Sequence, residues 1–255
     1  MSDFAGKVVV ITGAGSGIGR ALALNLAGQG AKLAISDVDT IGLAETTRLV
    51  EAIGAEVKSD HLDVTQREAV LEYADAVVAH FGKVNQIYNN AGIAYHGTFE
   101  KSEFKDFERV MDVDFWGVVN GTKAFLPHVI ASGDGHIVNV SSLFGLLSMP
   151  GQSAYNSAKF AVRGFTESLR QEMLIAKHPV KVTCVHPAES RPPSHATPPQ
   201  ARVKILRSSP SSSTASSRAP HRRTPPRRSS TVFGRASREF SSGWTQSHST
   251  PGFAS

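Results

Sequence analysis

Three observations predict a doubly wound α/β fold, with a parallel sheet between two helical layers, for this 255-residue chain. Short apolar runs rich in β-branched residues alternate with longer helical patterns, which is the signature of right-handed βαβ units. A glycine-rich turn separates the first such run from the first helix. A carboxylate, Asp37, closes the second run about twenty residues further on, the spacing of a dinucleotide-binding unit.

The elements run in order along the chain. Val8–Ile11 is a buried parallel strand, continuous in apolar residues and ending at Thr12. Gly13, Gly17 and Gly19 then form a G-x-x-x-G-x-G turn, with Ile18 where a strict G-x-G-x-x-G fingerprint has its last glycine. A strand, a glycine turn and a helix N-terminus together make an anion site, because free amides and the helix dipole face one point. The helix reads Ile18–Gly28 and the second strand Leu33–Ile35. Asp37 beyond it would bond ribose hydroxyls and repel a 2′-phosphate, and neither Ser16 nor Val38 offers a compensating positive charge. NAD is therefore expected over NADP. Helices at Ile41–Ile53, Gln66–Phe81, Phe104–Ile130 and Ala154–Lys177 alternate with strands at Ala55–Leu62 (the weakest), Val84–Tyr88, Ile137–Val140 and Val180–Val185.

Tyr155 and Lys159 stand four residues apart, on one face of the last helix. Ser142 follows the strand Ile137–Val140 and can meet them. A free phenol ionises near pH 10. An ammonium about 4 Å away favours the phenolate by roughly 4 kcal/mol at an effective dielectric near 20, or about a thousandfold. The trio therefore suits a proton moving to or from an alcohol oxygen.

In combination these motifs make the chain resemble the classical short-chain dehydrogenase/reductases, over about Lys7 to Pro187. They are Thr12-Gly13-x-x-x-Gly17-x-Gly19, Asp63-Val64 after the third strand, Asn89-Asn90-Ala91-Gly92 after the fourth, Ser142 after the fifth, and Tyr155-x-x-x-Lys159. The resemblance implies a Rossmann-like domain over residues 1–189 and a hydride transfer between NAD(H) and a secondary alcohol or ketone. By position it makes Tyr155 the general acid/base, and Ser142 the residue that orients the substrate oxygen. Lys159 holds the nicotinamide ribose and makes the tyrosine more acidic. Gly13, Ser16, Gly17, Ile18, Gly19, Asp37, Asp63, Val64 and Asn90 join Tyr155 and Lys159 in the cofactor site, with Asp63 on the adenine amino group. One catalytic position departs from the family pattern: Asp114 stands where the family usually has Asn. Its negative charge would stabilise the Lys159 ammonium and shift the pH optimum. Ala94, Tyr95, His96, Phe144 and Leu146–Met149 imply a mainly apolar substrate pocket. No metal site is expected.

Composition divides the chain. Eleven of its 27 basic and one of its 22 acidic residues fall in 190–255, a net of +10 against −5 for the first 189. That tail is rich in Ser, Pro and Arg, without a periodic apolar pattern, and is expected to be disordered. Arg222-Arg223 and Arg227-Arg228 could meet phosphates, but no aromatic interleaving accompanies them, so nucleic-acid binding is not expected. A shifted reading frame explains the tail better. Reading each codon's last base with the next two, in GC-rich codons, turns the segment from Ala188 into GIKTAIARNAT. Thr224–Ser247 becomes TAETIVDGVRAGKPRVLVGLDAK, a helix followed by a seventh strand. In the family this region supplies the substrate lid and much of the oligomer interface, so neither a family-type oligomer nor full activity is expected of the chain as it stands; a silent NAD-binding protein is the first alternative, and a nucleic-acid-binding protein using the basic tail is the second. No stretch is long and apolar enough to span a bilayer, the start lacks signal-peptide features, and Cys184 is the sole cysteine, so a cytoplasmic location is expected.

Overall fold

The computed structural model describes residues 4–188. Six parallel strands run β1 (Val8–Thr12), β2 (Lys32–Asp37), β3 (Val57–His61), β4 (Gln86–Asn89), β5 (Gly135–Val140) and β6 (Val180–Val185), in the sheet order β3-β2-β1-β4-β5-β6. The helices are α1 (Gly17–Gly28), α2 (Thr40–Ala52), α3 (Arg67–Phe81), α4 (Phe104–Met111), α5 (Gly117–Ala131) and α6 (Ser153–Ile175). The expected doubly wound, Rossmann-like architecture is therefore present. The sequence order reverses between β1 and β4, and the crevice beyond their carboxyl ends is where such sheets bind ligands.

The strands are apolar on both faces because helices cover both. Val8, Val9, Val10 and Ile11 are all buried, and they alternate between two cores. Val8 and Val10 join Ile87, Phe125 and Ile137 on one side, while Val9 and Ile11 join Leu33, Ile35 and Leu26 on the other. Sending successive side chains to opposite faces is the two-residue period of a strand. Strand β3 holds only Lys58, Ser59 and Asp60 between its ends, with no fully buried residue. It lies at the sheet edge beside β2, which accounts for its weak signal in the sequence.

A buried polar ladder ties the layers together. Asn89 on β4 donates to Thr122 of α5 and to Asn139 of β5 at 3.0 and 2.8 Å, and Asn139 donates to Thr166 of α6 at 3.0 Å. Each amide sits where an apolar residue would suit the core, and its bonds offset part of the cost of burial, with Asn89 Oδ1 left unpaired.

The predicted single helix Phe104–Ile130 is interrupted. Residues Asp112–Trp116 form one π-helical turn between α4 and α5. The widened turn admits an extra residue and rotates α5 relative to α4. No helix among the described residues is long and apolar enough to cross a membrane. The expected tail over 190–255 lies outside the described residues.

Candidate active site

The chemistry gathers at the carboxyl end of the sheet, around a cavity of about 610 Å³. Ile18, Asn90, Asp114, Ser142, Tyr155 and Lys159 all line it, so six of the residues singled out by sequence converge on one space.

The glycine turn forms one wall. Gly13 and Gly17 have φ of +67° and +51°, which favours glycine. A Cβ on Gly13 would lie 2.7 Å from Ala91 Cα, so the turn packs directly on the loop after β4. Asn90 fastens that contact, donating from its side chain to the Thr12 and Gly13 carbonyls at 2.9 and 3.0 Å. Ser16 occupies the N-cap of α1, but its side chain makes no capping bond, which leaves the first-turn amides to an incoming acceptor. This cradle fits a pyrophosphate.

Gly13, Ser16, Gly17, Gly19, Asp37, Asp63 and Val64 do not line the cavity itself. They continue from it along the strand ends toward β3. Asp37 accepts from the Gly15 amide at 2.7 Å and the Asp39 amide at 2.9 Å, so it braces the glycine turn as well as ending β2. Asp63 accepts from Thr65 N at 2.9 Å, and Val64 is buried with its carbonyl held by Asn120 at 3.0 Å.

Opposite stand the reactive side chains. Ser142 follows β5, and its hydroxyl caps a short 3₁₀ turn by accepting from Phe144 N at 3.2 Å. The neighbouring Ser141 instead donates to the Lys159 carbonyl at 2.8 Å and fixes α6 against β5. Lys159 is 3 % exposed, an unusual position for an ammonium. Its Nζ donates to the Val140 carbonyl at 3.3 Å and lies 5.5 Å from the Tyr155 ring centroid.

The π-turn turns Asp114 inward, to 0 % exposure. Its Oδ1 accepts from the Ile93 amide at 2.7 Å, and its Oδ2 stands 3.1 Å from Lys159 Nζ. That second contact is a buried ion pair. Burial pushes the carboxyl above its ordinary range, and the Lys159 ammonium pulls it back.

Of the expected pocket residues, Ala94 and Phe144 line the cavity; Tyr95, His96 and Leu146–Met149 do not. Tyr95 is engaged elsewhere, donating to Asp106 at 2.9 Å. Sequence reasoning missed Gln152, which lines the cavity just ahead of Tyr155. It also missed Asn156, which donates to the Phe144 and Leu147 carbonyls at 2.7 and 2.9 Å and so shapes the loop over the site. An amide one residue past Tyr155 on the helix face toward that loop is the signal that could have found Asn156.

Comparison with known proteins places the chain in one family. A family model described as short chain dehydrogenase matches residues 7–199. SadH of Mycobacterium tuberculosis, named as an oxidoreductase, is 80% identical over 187 residues, which are 73% of this chain and 68% of that one. A crystal structure of a short chain dehydrogenase/reductase from Burkholderia phymatum in complex with NAD has a TM-score of 0.72 and 41% identity. It covers 74% of this chain and 67% of its own. Carveol dehydrogenase from Mycobacterium avium, also in complex with NAD, gives a TM-score of 0.70 and 30% identity over 73% of this chain and 72% of that one.

Proposed function

The chain belongs to the short-chain dehydrogenase family of oxidoreductases, and from that premise we propose that it is an NAD-dependent dehydrogenase of a secondary alcohol or its ketone. The observation that carries this reading is the convergence of Ser142, Tyr155 and Lys159 on one cavity beside the glycine turn. NAD would lie with its pyrophosphate against Gly13–Gly19 and its ribose hydroxyls toward Asp37, whose charge opposes a 2′-phosphate. When bound, the dinucleotide supplies the hydride acceptor.

The residues divide the remaining work. The Ser142 hydroxyl donates to the substrate oxygen and fixes it beside Tyr155. In the oxidising direction the Tyr155 phenolate takes the hydroxyl proton as the carbinol hydrogen leaves as hydride; in reduction the phenol returns it. Lys159 stabilises the phenolate and bonds the nicotinamide ribose. Ile18, Leu143 and Phe144 give the cavity an apolar lining, which suits a hydrocarbon-rich substrate.

Two measurements test the reading together. NADH fluorescence enhancement should saturate, and a panel of cyclic and long-chain secondary alcohols should include substrates whose oxidation vanishes in Tyr155→Phe. Saturable binding with no turnover of any panel member would replace the enzyme with a silent NAD-binding protein.

The altered tail bears on this test. The 80% identity with SadH extends over 187 residues of the 255, while the composition changes after Pro187. Both support the inference that one base is missing near Ala188. Resequencing that codon, and assaying a frame-restored chain beside the present one, decides it; an intact frame through the tail overturns it.

A further inference from the structure

We propose that Asp114 cancels most of the charge that Lys159 presents to Tyr155, so that a carboxylate between α4 and α5 sets the pH at which the phenol gives up its proton. The catalytic meaning of this rests on the dehydrogenase reading; the electrostatics do not.

The geometry carries the inference. Asp114 and Lys159 are 0 % and 3 % exposed, and their charged atoms stand 3.1 Å apart. The two charges are buried side by side, so what Tyr155 meets is the sum of both. An ammonium alone strongly favours the phenolate. An ammonium backed by a carboxylate acts as a short dipole, and its influence falls off faster with distance. Lys159 Nζ stands 3.1 Å from Oδ2 and is that carboxylate's electrostatic partner.

The surroundings add little further charge. From α6 come Lys159 and Tyr155, the ionisable groups of that helix that line the cavity with Asp114. From the loop after β4 come the Ile93 amide and Gly92, whose missing side chain leaves the carboxylate room: a Cβ there would lie 3.4 Å from Oδ2 and 3.3 Å from Lys159 Nζ. From β5 comes the neutral Val140 carbonyl, bonded to Lys159. Lys159 is the charged group that acts on Asp114, and burial still holds that carboxyl above its ordinary range. Asp114 is thus a positioning residue for charge, acting on Tyr155 through Lys159.

The test is an alkaline titration of the full-length chain, followed by phenolate absorbance at 295 nm. The chain has four tyrosines, so subtracting the titration of Tyr155→Phe isolates the fourth. The same subtraction is made in the Asp114→Asn background. The Tyr155 component should appear about two pH units lower in Asp114→Asn, roughly a hundredfold gain in phenolate at a fixed pH below the midpoint. Asp114→Glu, which keeps the charge, should restore most of the parent value. A Tyr155 component that is unmoved or raised in Asp114→Asn overturns the proposal.

Should Asp114→Asn fail to fold, Asp114→Asn/Lys159→Met, which removes both charges, decides. If the two charges nearly cancel at the phenol, the Tyr155 component of that double variant should stay within about one pH unit of the parent, whereas a rise of about three units, the effect of losing an unopposed ammonium, overturns the proposal. If neither variant folds, the pair serves folding and the proposal fails. None of these titrations requires hydride transfer. A shifted titration without turnover defeats the dehydrogenase reading alone, while Tyr155-dependent turnover with an unshifted titration defeats this inference alone.

Discussion

The two walls of the cavity are built from different materials. The glycine wall is main chain: two residues at positive φ, uncapped helix amides, and a packing distance that only a missing side chain permits. The opposite wall is side chain: a buried lysine, a buried carboxylate and a serine that caps its own turn. The first wall can offer hydrogen bonds to any phosphate, and no group that titrates lines the cavity on that side. The second holds protons, and in return must keep charge out of water. Binding and chemistry therefore answer to different perturbations, and variants can separate them.

The sharpest separation comes from Tyr155→Phe. Loss of the phenolic oxygen removes the proton acceptor and should lower kcat by about 10²–10⁴-fold, while NADH titrations give a Kd within about threefold of the parent, since main-chain groups set pyrophosphate affinity. A comparable loss of binding would erase the distinction between the walls.

Stability should distinguish them next. Asp114→Leu leaves the Lys159 ammonium buried without its partner, and urea unfolding should report a loss of about 3–5 kcal/mol. Gly13→Ala strains the backbone wall instead. Its φ of +67° and the contact with Ala91 should cost about 1–3 kcal/mol and weaken NADH binding, with any residual kcat less affected. Equal losses in kcat and in affinity would show the two walls to be mechanically one unit.

Asp37→Ser acts more gently. Removing the carboxylate frees room and charge for a 2′-phosphate, so the preference for NAD over NADP should fall about tenfold, measured as the ratio of kcat/KM values. The Gly15 amide loses its 2.7 Å acceptor in the same variant, so part of the effect should appear as weaker binding of both dinucleotides.

The smallest effect concerns pH. Burial raises the folded-state affinity of Asp114 for its proton. A carboxyl more basic folded than unfolded contributes its full stability below the unfolded value, about 3.9, and loses it as pH rises through the folded value. Asp114→Asn lacks that loss. The Tm difference between variant and parent should therefore shift toward the variant as pH rises from about 3.5 to 7.

Most of the fold was legible because its signals are local. The apolar runs at Val8–Ile11 and Val180–Val185 and the glycine turn each carry their own period or backbone requirement, and the strands fell at or within a few residues of where those signals lie. Tyr155 and Lys159 were legible because i and i+4 on one helix share a face. The π-turn at Asp112–Trp116 was not, since a single widened turn leaves the apolar pattern of the flanking helices intact. Asn139 and Asn156 escaped for another reason: an amide declares its role only through partners on other segments, and those partners lie 7 to 50 residues away in sequence. The sequence pointed to Asp114 as a negative charge acting on Lys159, but the 3.1 Å contact and the burial of both groups needed the tertiary structure.

The widened turn before α5 also limits how the chain can change length. Each residue of an α-helix advances the helix by about 100°. A one-residue deletion between Phe104 and Asp112 would swing the carboxylate from the lysine toward the outer surface and bring a neighbour into its place. Indels that surface loops absorb with ease should therefore be selected against along this one helix, even at positions whose own side chains face solvent.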